Sequence, residues 1–290
     1  MLNQLIANGV FSGFLIALLA VGFGILYSAS RFFVFTFGAA YVWSAYTVLL
    51  LGERITIPLG IIVGMGIGSL LSIALEIVVY QPIRRRGDYA LVVMLASIGA
   101  YIVLQNIVSM AFGDAARIVQ TWPIHKGYLI FGDRLTGVQL VIMGTSTLAL
   151  VLAWLFLYWY PIGKNLRAVT NDADLACVVG VKVDRVIQIA AGLGGGMAGL
   201  AGALTSLDTG VIPTMGFRGL LLGVVACILG GIGNLWGAVI GGFLLGILQQ
   251  VAVWSLPTQW QDAIVFLVLI VVLIVRPQGL FGKRLSRITV

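Results

Sequence analysis

Charge is what this sequence has least of. Lys and Arg number 17, Asp and Glu 10, and charged residues make up 9% of 290 positions, against 60% hydrophobic ones. A soluble domain carries about 25% charged residues, so this composition excludes a solvated globular surface. Cysteine occurs twice and histidine once. Cys177 and Cys227 fall in different environments, one in a connecting segment and one in an apolar run, which excludes a disulfide framework and leaves no metal-ligand spacing. No G-x-x-x-x-G-K-[ST] stretch occurs, so the chain has no P-loop to cradle ATP phosphates. Only one acid, Glu76, lies inside an apolar run. A proton relay would be expected to show more than one deep ionisable group, and Glu76 stands close enough to Arg84–Arg86 to read as half of a structural ion pair. No cluster of His, Cys or acids offers a catalytic set, so an enzyme, a metal site and a cofactor are not expected.

What is present is apolar length. Nine runs are candidates to cross a bilayer: Leu5–Ser28, Phe32–Leu51, Ile55–Tyr80, Tyr89–Phe112, Thr136–Tyr160, Val186–Leu207, Gly219–Ile232, Gly233–Trp254 and Ala263–Val275. The seventh is short of the ~20 residues a full span needs. GGIGN at Gly230–Asn234 reads either as a loop or as a break within the membrane. The first run has no preceding Lys or Arg and no small-residue cleavage pattern, and is expected to be retained as a span. The predicted fold is all-α, a multi-pass polytopic bundle of 8–10 spans with glycine-rich, interrupted helices in one membrane domain over 1–290.

Basic residues set the orientation. With the amino terminus outside, the inner side collects Arg31, Arg84, Arg85, Arg86, Lys164, Arg167, Lys182, Arg185, Arg276, Lys283, Arg284 and Arg287. The outer side keeps Arg54, Arg117, Lys126, Arg134 and Arg218. That asymmetry follows the positive-inside rule, and the positive net charge is thereby accounted for without nucleic acid. The lone His125, beside Trp122 and Pro123, reads as a solvated residue of the outer connection 113–135.

Glycine is abundant, at 38 residues. In AAGLGGGMAGLAGAL, Gly194, Gly196 and Gly199 spell the dinucleotide fingerprint G-x-G-x-x-G. That motif requires a preceding strand, a helix opening at the glycines and an acid about 20 residues on, and the context supplies none of them convincingly. Gly192/Gly196 and Gly195/Gly199 are instead GxxxG pairs that let helices in lipid approach backbone to backbone.

The inner connection 161–185 reads as a short surface helix. Thr170 or Asn171 can cap its start, Asp172 and Asp174 fall in its first turn, and Gly180 supplies the left-handed residue that ends it. Its apolar residues Leu175, Ala176, Val178 and Val179 are bounded by Lys164, Arg167, Lys182 and Arg185. They need either the underside of the bundle or a partner.

The pattern Asp174-Leu175-Ala176-x-x-x-Gly180 resembles the cytoplasmic loop by which permeases of ABC importers seat on their ATPase subunits. The longer segment GKNLRAVTNDADLACVVGVKVDRV resembles that loop in branched-chain amino-acid permeases of the LivH type. QPIRRR (81–86) is similar to that family's cytoplasmic Arg-Pro-Leu-Arg turn, and SIGAYIVLQN (97–106) to its Thr-Ile-Gly…Leu-Gln-Asn span. MAGLAGAL, LGGIGNLWGAVIGGFLLGILQ and RPQGLFG (276–282) then resemble its closing half in order. The resemblance implies a transport subunit driven by two separate cytoplasmic ATP-binding subunits, paired with a second permease chain or a copy of itself, and fed by an extracytoplasmic solute-binding protein. It implies ATPase coupling through Arg167, Asp172, Asp174, Leu175, Ala176 and Gly180. The family's second span opens with an Asn-Phe-Ala-His-Gly-Glu-like run, whereas here the stretch is Val34-Phe35-Thr36-Phe37-Gly38-Ala39, which points to a different or more apolar solute.

Interrupted helices with polar side chains line the central site of many transporters. The candidates here are Thr36, Tyr41, Ser44 and Tyr46 on the second span and Ser97, Gln105 and Asn106 on the fourth, with Gln249 and Gln250 on the eighth. Each can instead be interhelical glue. The leading reading is an importer permease for branched-chain or other amino acids or related small polar solutes; the alternative is a self-sufficient secondary carrier or channel.

Overall fold

A computed structural model describes residues 2–52, 56–87, 90–118, 127–130, 133–255 and 257–282. His125, Trp122, Pro123, Arg54, Lys126, Lys283, Arg284 and Arg287 lie outside them.

Six helices are long and apolar enough to cross a membrane, and three shorter apolar helices join them. In chain order the elements are α1 (Leu2–Ser30), α2 (Thr36–Gly52), α3 (Ile57–Leu75), a π turn (Glu76–Tyr80), α4 (Gln81–Arg86) and α5 (Ala90–Phe112). After a small hairpin of β1 (Gly127–Ile130) and β2 (Asp133–Thr136) come α6 (Gly137–Trp159), α7 (Pro161–Asn171), α8 (Ala173–Val178), α9 (Val183–Asp208), α10 (Met215–Gly230), α11 (Leu235–Ser255) and α12 (Gln261–Val275). The nine apolar runs correspond to nine apolar helices among the described residues.

Several boundaries move for physical reasons. The second run is not helical from Phe32: Arg31 takes a positive φ of 60°, its N–H bonds the Tyr27 carbonyl to close α1, and the chain stays irregular until Thr36. The third helix does not stop at Tyr80. Pro82 cannot donate to the turn before it and its ring crowds the carbonyl four residues back. The π turn, in which Gln81 N–H bonds the Glu76 carbonyl, widens the helix there, so QPIRRR continues as helix rather than forming a turn. The connection between α5 and α6 carries the two-stranded hairpin, and Thr136 then opens α6 with a capping box to Gln139.

α9 sits at the centre, buried over most of its length, and packs on α1, α2 and α3. Gly194, Gly196 and Gly199 fall in mid-helix with no strand before them, so the dinucleotide reading has no structural counterpart. A Cβ at Gly195 would stand 2.6 Å from the Gly68 carbonyl oxygen, and one at Gly199 would stand 3.1 Å from that of Gly64. The pairing 195/68 and 199/64 runs in opposite senses, so α3 and α9 are antiparallel and in backbone contact. By the same argument Gly9 meets Ile247 and Gly13 meets Phe243, which makes α1 and α11 antiparallel. Gly230 meets Gly237 and Ala226 meets Gly241, which makes α10 and α11 a tight helical hairpin.

GGIGN is therefore a connection between two helices rather than a break inside one. The RPQGLFG stretch folds onto it: Leu280 and Phe281 N–H bond the Leu229 and Gly230 carbonyls, the last acceptors of α10, at 2.8 and 3.1 Å. The carboxyl-terminal motif is a lid on that helix end.

Candidate functional site

The opening of α2 is built by three neighbours. Thr36 Oγ1 and the Tyr80 hydroxyl share a hydrogen bond of 2.6 Å, and the Phe32 ring meets Tyr80 edge-on at 5.4 Å. Ser97 Oγ, on α5, accepts from Phe35 N–H at 3.3 Å and donates toward the Phe33 and Met94 carbonyls at 3.2 and 2.7 Å. These bonds satisfy backbone groups that the irregular stretch would otherwise leave orphaned in an apolar setting. Further along α2, Tyr41 is buried with its ring over Gly219 of α10. The Tyr46 ring lies 4.6 Å from that of Phe112, and its hydroxyl is buried without a partner.

Ser44 has a different job. Its Oγ bonds the Ala40 carbonyl at 2.8 Å and the Gly64 carbonyl at 2.7 Å, so it is glue between α2 and α3. Asn106 is exposed on α5, its amide donating to the Ile102 carbonyl, on a different face from the buried Val93, Ser97, Tyr101 and Val108. Gln105 is half-buried. Gln249 is buried on α11, and Gln250 reaches Ser12 Oγ at 3.4 Å. The structure thus places Thr36 and Ser97 together at the opening of α2, sets Tyr41 and Tyr46 about 7 and 15 Å further along the same helix, and leaves Asn106 apart.

Tyr101 is the residue sequence reasoning missed. Its hydroxyl is buried against the Phe217 backbone, and its ring stands against Gly38. It adds a buried phenol near the α2 opening, while the unpartnered Tyr46 hydroxyl lies about 15 Å further along α2. Its four-residue spacing from Ser97 puts the two on one face of α5, but an all-apolar helix does not mark that face as the covered one.

Glu76 pairs as expected. Its Oε1 receives Arg84 Nη2 at 2.7 Å, and the same nitrogen reaches Asp184 Oδ1 at 3.3 Å; Arg85 Nη2 holds Asp184 Oδ2 at 2.8 Å. Glu76 is 1% exposed and Arg84 25%. Removing one member of a buried pair strands the other charge, at a cost of about 3–5 kcal/mol. Arg84→Ala is accordingly expected to lower thermal stability in detergent strongly, and Glu76→Gln in the same chain to restore most of it. Equal melting of Arg84→Ala and the unaltered chain would show that the pair carries no such role.

The connection 161–185 contains two helices, not one. Pro161 starts α7 at a position where its missing N–H costs nothing, and Thr170 and Asn171 belong to the last turn of α7 instead of capping α8. The cap is Asp172, whose Oδ1 accepts from Asp174 and Leu175 N–H, both at 3.0 Å. At the other end Gly180 has φ +88°, Val181 N–H bonds the Ala176 carbonyl and Gly180 N–H bonds that of Cys177, both at 3.0 Å. This is a Schellman closure. A six-residue helix is unstable alone, so these two ends hold α8 in place. Ala176 is buried beneath it, while Leu175, Val178 and Val179 are 64%, 84% and 83% exposed. Arg167, on α7, lies over the Tyr158 ring at 4.9 Å.

A glycine-welded bundle of apolar helices, carrying a capped polar connection with an uncovered apolar face, defines a polytopic integral membrane protein. The family described as branched-chain amino acid transport system, permease component, matches residues 5–273. The chain belongs to that family and is a multi-pass plasma-membrane permease of the ABC class. It is 31% identical to the high-affinity branched-chain amino acid transport system permease protein LivH of Salmonella typhimurium, over 97% of this chain and 95% of that one. LivH of Escherichia coli K12 gives the same figures, and BraD of Pseudomonas aeruginosa is 28% identical over the same shares. Among solved structures, PsaBC from Streptococcus pneumoniae in complex with Fab superposes with a TM-score of 0.53 at 12% identity, covering 92% of this chain and 90% of that one; this likeness concerns the fold alone.

Proposed function

We propose that this permease imports branched-chain amino acids or related small, largely apolar solutes, with ATP hydrolysed by two separate subunits that dock on α8. The observation that carries the docking is the uncovered face of Leu175, Val178 and Val179 on a helix pinned at both ends. Covering each such side chain is worth about 1.5–3 kcal/mol. The solute class is supported by the relatives' printed roles and by the α2 opening, where Phe33, Phe35 and Phe37 flank Thr36. An extracytoplasmic solute-binding protein and a second permease chain, homologous or identical, complete the assembly. The amino terminus is outside: the ties of Arg31 to Thr170 and of Arg84 to Asp184 fall at one end of the bundle, and those of Arg117 to Val211 and Arg218 to Asp262 at the other, in accord with the distribution of basic residues.

Reconstitution in proteoliposomes tests this reading. Radiolabelled leucine, isoleucine or valine is expected to accumulate only when ATP, the ATP-binding subunits and the loaded binding protein are all supplied. Uptake by the permease alone, without ATP, would establish the self-sufficient carrier instead.

A further inference from the structure

We propose that the connection 161–185 is wired to the opening of α2 by two polar arms that meet at the Thr36–Tyr80 hydrogen bond, with Arg31 and Arg84 as its positioning residues. The proposal rests on the docking of ATP-binding subunits on α8.

The first arm starts at the entry to α8. Arg31 Nη2 donates to the carbonyl of Thr170, in the last turn of α7 and two residues before the Asp172 cap. A cation at a helix carboxyl end is favourably placed. Arg31 holds φ 60°, a conformation that glycine adopts freely and arginine only against Cβ sterics, and the guanidinium contact offsets that strain. Four residues separate Arg31 from Thr36, and they carry little slack: Phe32 packs on Tyr80, while the Phe33 carbonyl and Phe35 N–H are both held by Ser97 Oγ.

The second arm starts at the exit. Asp184, in the first turn of α9 and four residues past Gly180, is held by Arg84 and Arg85. Gln188, one turn on, donates to Gln81 at 3.1 Å. Arg84 passes the contact to Glu76, the first residue of the π turn whose last residue is Tyr80. Tyr80 and Thr36 close the circuit at 2.6 Å. π turns recur at functional positions because one extra residue per turn can be repositioned without breaking the helix. Arg84 also keeps Nη1 buried with no acceptor, a donor left over for a second arrangement of the cluster.

Movement of α8 thus reaches one hydrogen bond from both sides: through α7 and Arg31 to Thr36, and through α9, Arg84 and the π turn to Tyr80. That bond stands at the first turn of α2, the helix carrying Tyr41 and Tyr46.

Hydrogen–deuterium exchange on the assembled transporter, with and without a non-hydrolysable ATP analogue, tests the wiring. In the unaltered complex, exchange at 172–179 and at 34–38 is expected to change together on nucleotide binding. Three variants cut the arms with little harm to the fold: Arg31→Gly keeps the positive φ, Glu76→Gln with Arg84→Gln leaves no stranded charge, and Tyr80→Phe removes one hydroxyl. Each is expected to keep the response at 172–179 while cutting that at 34–38 at least twofold, with Arg31→Gly combined with the Glu76/Arg84 pair cutting it most. An undiminished response at 34–38 in all variants, or none there in the unaltered complex while 172–179 responds, overturns the wiring. Absence of any protection at 172–179 in the unaltered complex overturns the docking reading, and the wiring falls with it.

Discussion

Gly195→Ala is expected to prevent recovery of a monodisperse folded permease, while Gly196→Ala, one residue along, is expected to fold normally. A Cβ at Gly195 would lie 2.0 Å from Ser72 Oγ, 2.4 Å from Ser72 Cβ and 2.6 Å from the Gly68 carbonyl oxygen. The serine hydroxyl can turn aside; the Ser72 Cβ and the Gly68 carbonyl are fixed to the backbone of α3 and move only if the two helices part. Overpacking a tight interior costs about 1–3 kcal/mol and occasionally more, and this contact lies at the upper end because backbone, not side chain, must yield. Separation of α3 from α9 also loosens Gly199 against Ser44 and Gly64. At Gly196 the same methyl would meet Ser69 Cβ at 3.6 Å and Met65 at 3.9 Å, ordinary contact, so only a larger residue such as leucine pushes there. Size-exclusion profiles and melting temperatures in one detergent decide the matter, and equal behaviour of the two alanine variants would mean that close backbone approach does not hold this bundle together.

The second large effect is functional. Leu175→Asp together with Gly180→Val is expected to leave the isolated permease folded and to abolish its control of ATP hydrolysis. Leu175 is mostly exposed and a Cβ at Gly180 meets nothing within 4 Å, so neither change disturbs packing. The valine instead strains the left-handed residue at φ +88° by about 1–2 kcal/mol, which misplaces the end of α8. The aspartate replaces an apolar contact worth about 1.5–3 kcal/mol with a charge to be desolvated. At about 1.4 kcal/mol per tenfold, the sum corresponds to a loss of roughly a hundredfold or more in affinity for the ATP-binding subunits. Co-purification and stimulation of ATP hydrolysis by loaded binding protein measure both parts. Normal transport with partners bound would reduce 161–185 to a solvated connector.

How far each feature was legible follows from which forces act locally. Scarce charge and long apolar runs determined a membrane bundle and its nine segments, because burial in lipid depends on composition over ~20 residues and little else. Glu76 and Arg84, two turns apart, and Gly180 after a short apolar helix were readable for the same reason, since their partners are near in sequence. The motifs in series determined the family. The facing of each helix was not legible. Where both lipid and protein neighbours are apolar, the 3.6-residue pattern that separates inside from outside disappears, so Tyr101 could not be told from its lipid-facing neighbours, nor Gly195 from Gly196. Contacts between distant segments were likewise closed to sequence: Arg31 on Thr170, Asp184 on Arg84 and Arg85, and RPQGLFG over the end of α10. Each satisfies a charge or a backbone group that one segment leaves open and only another can close, and which segment arrives there is decided by tertiary packing.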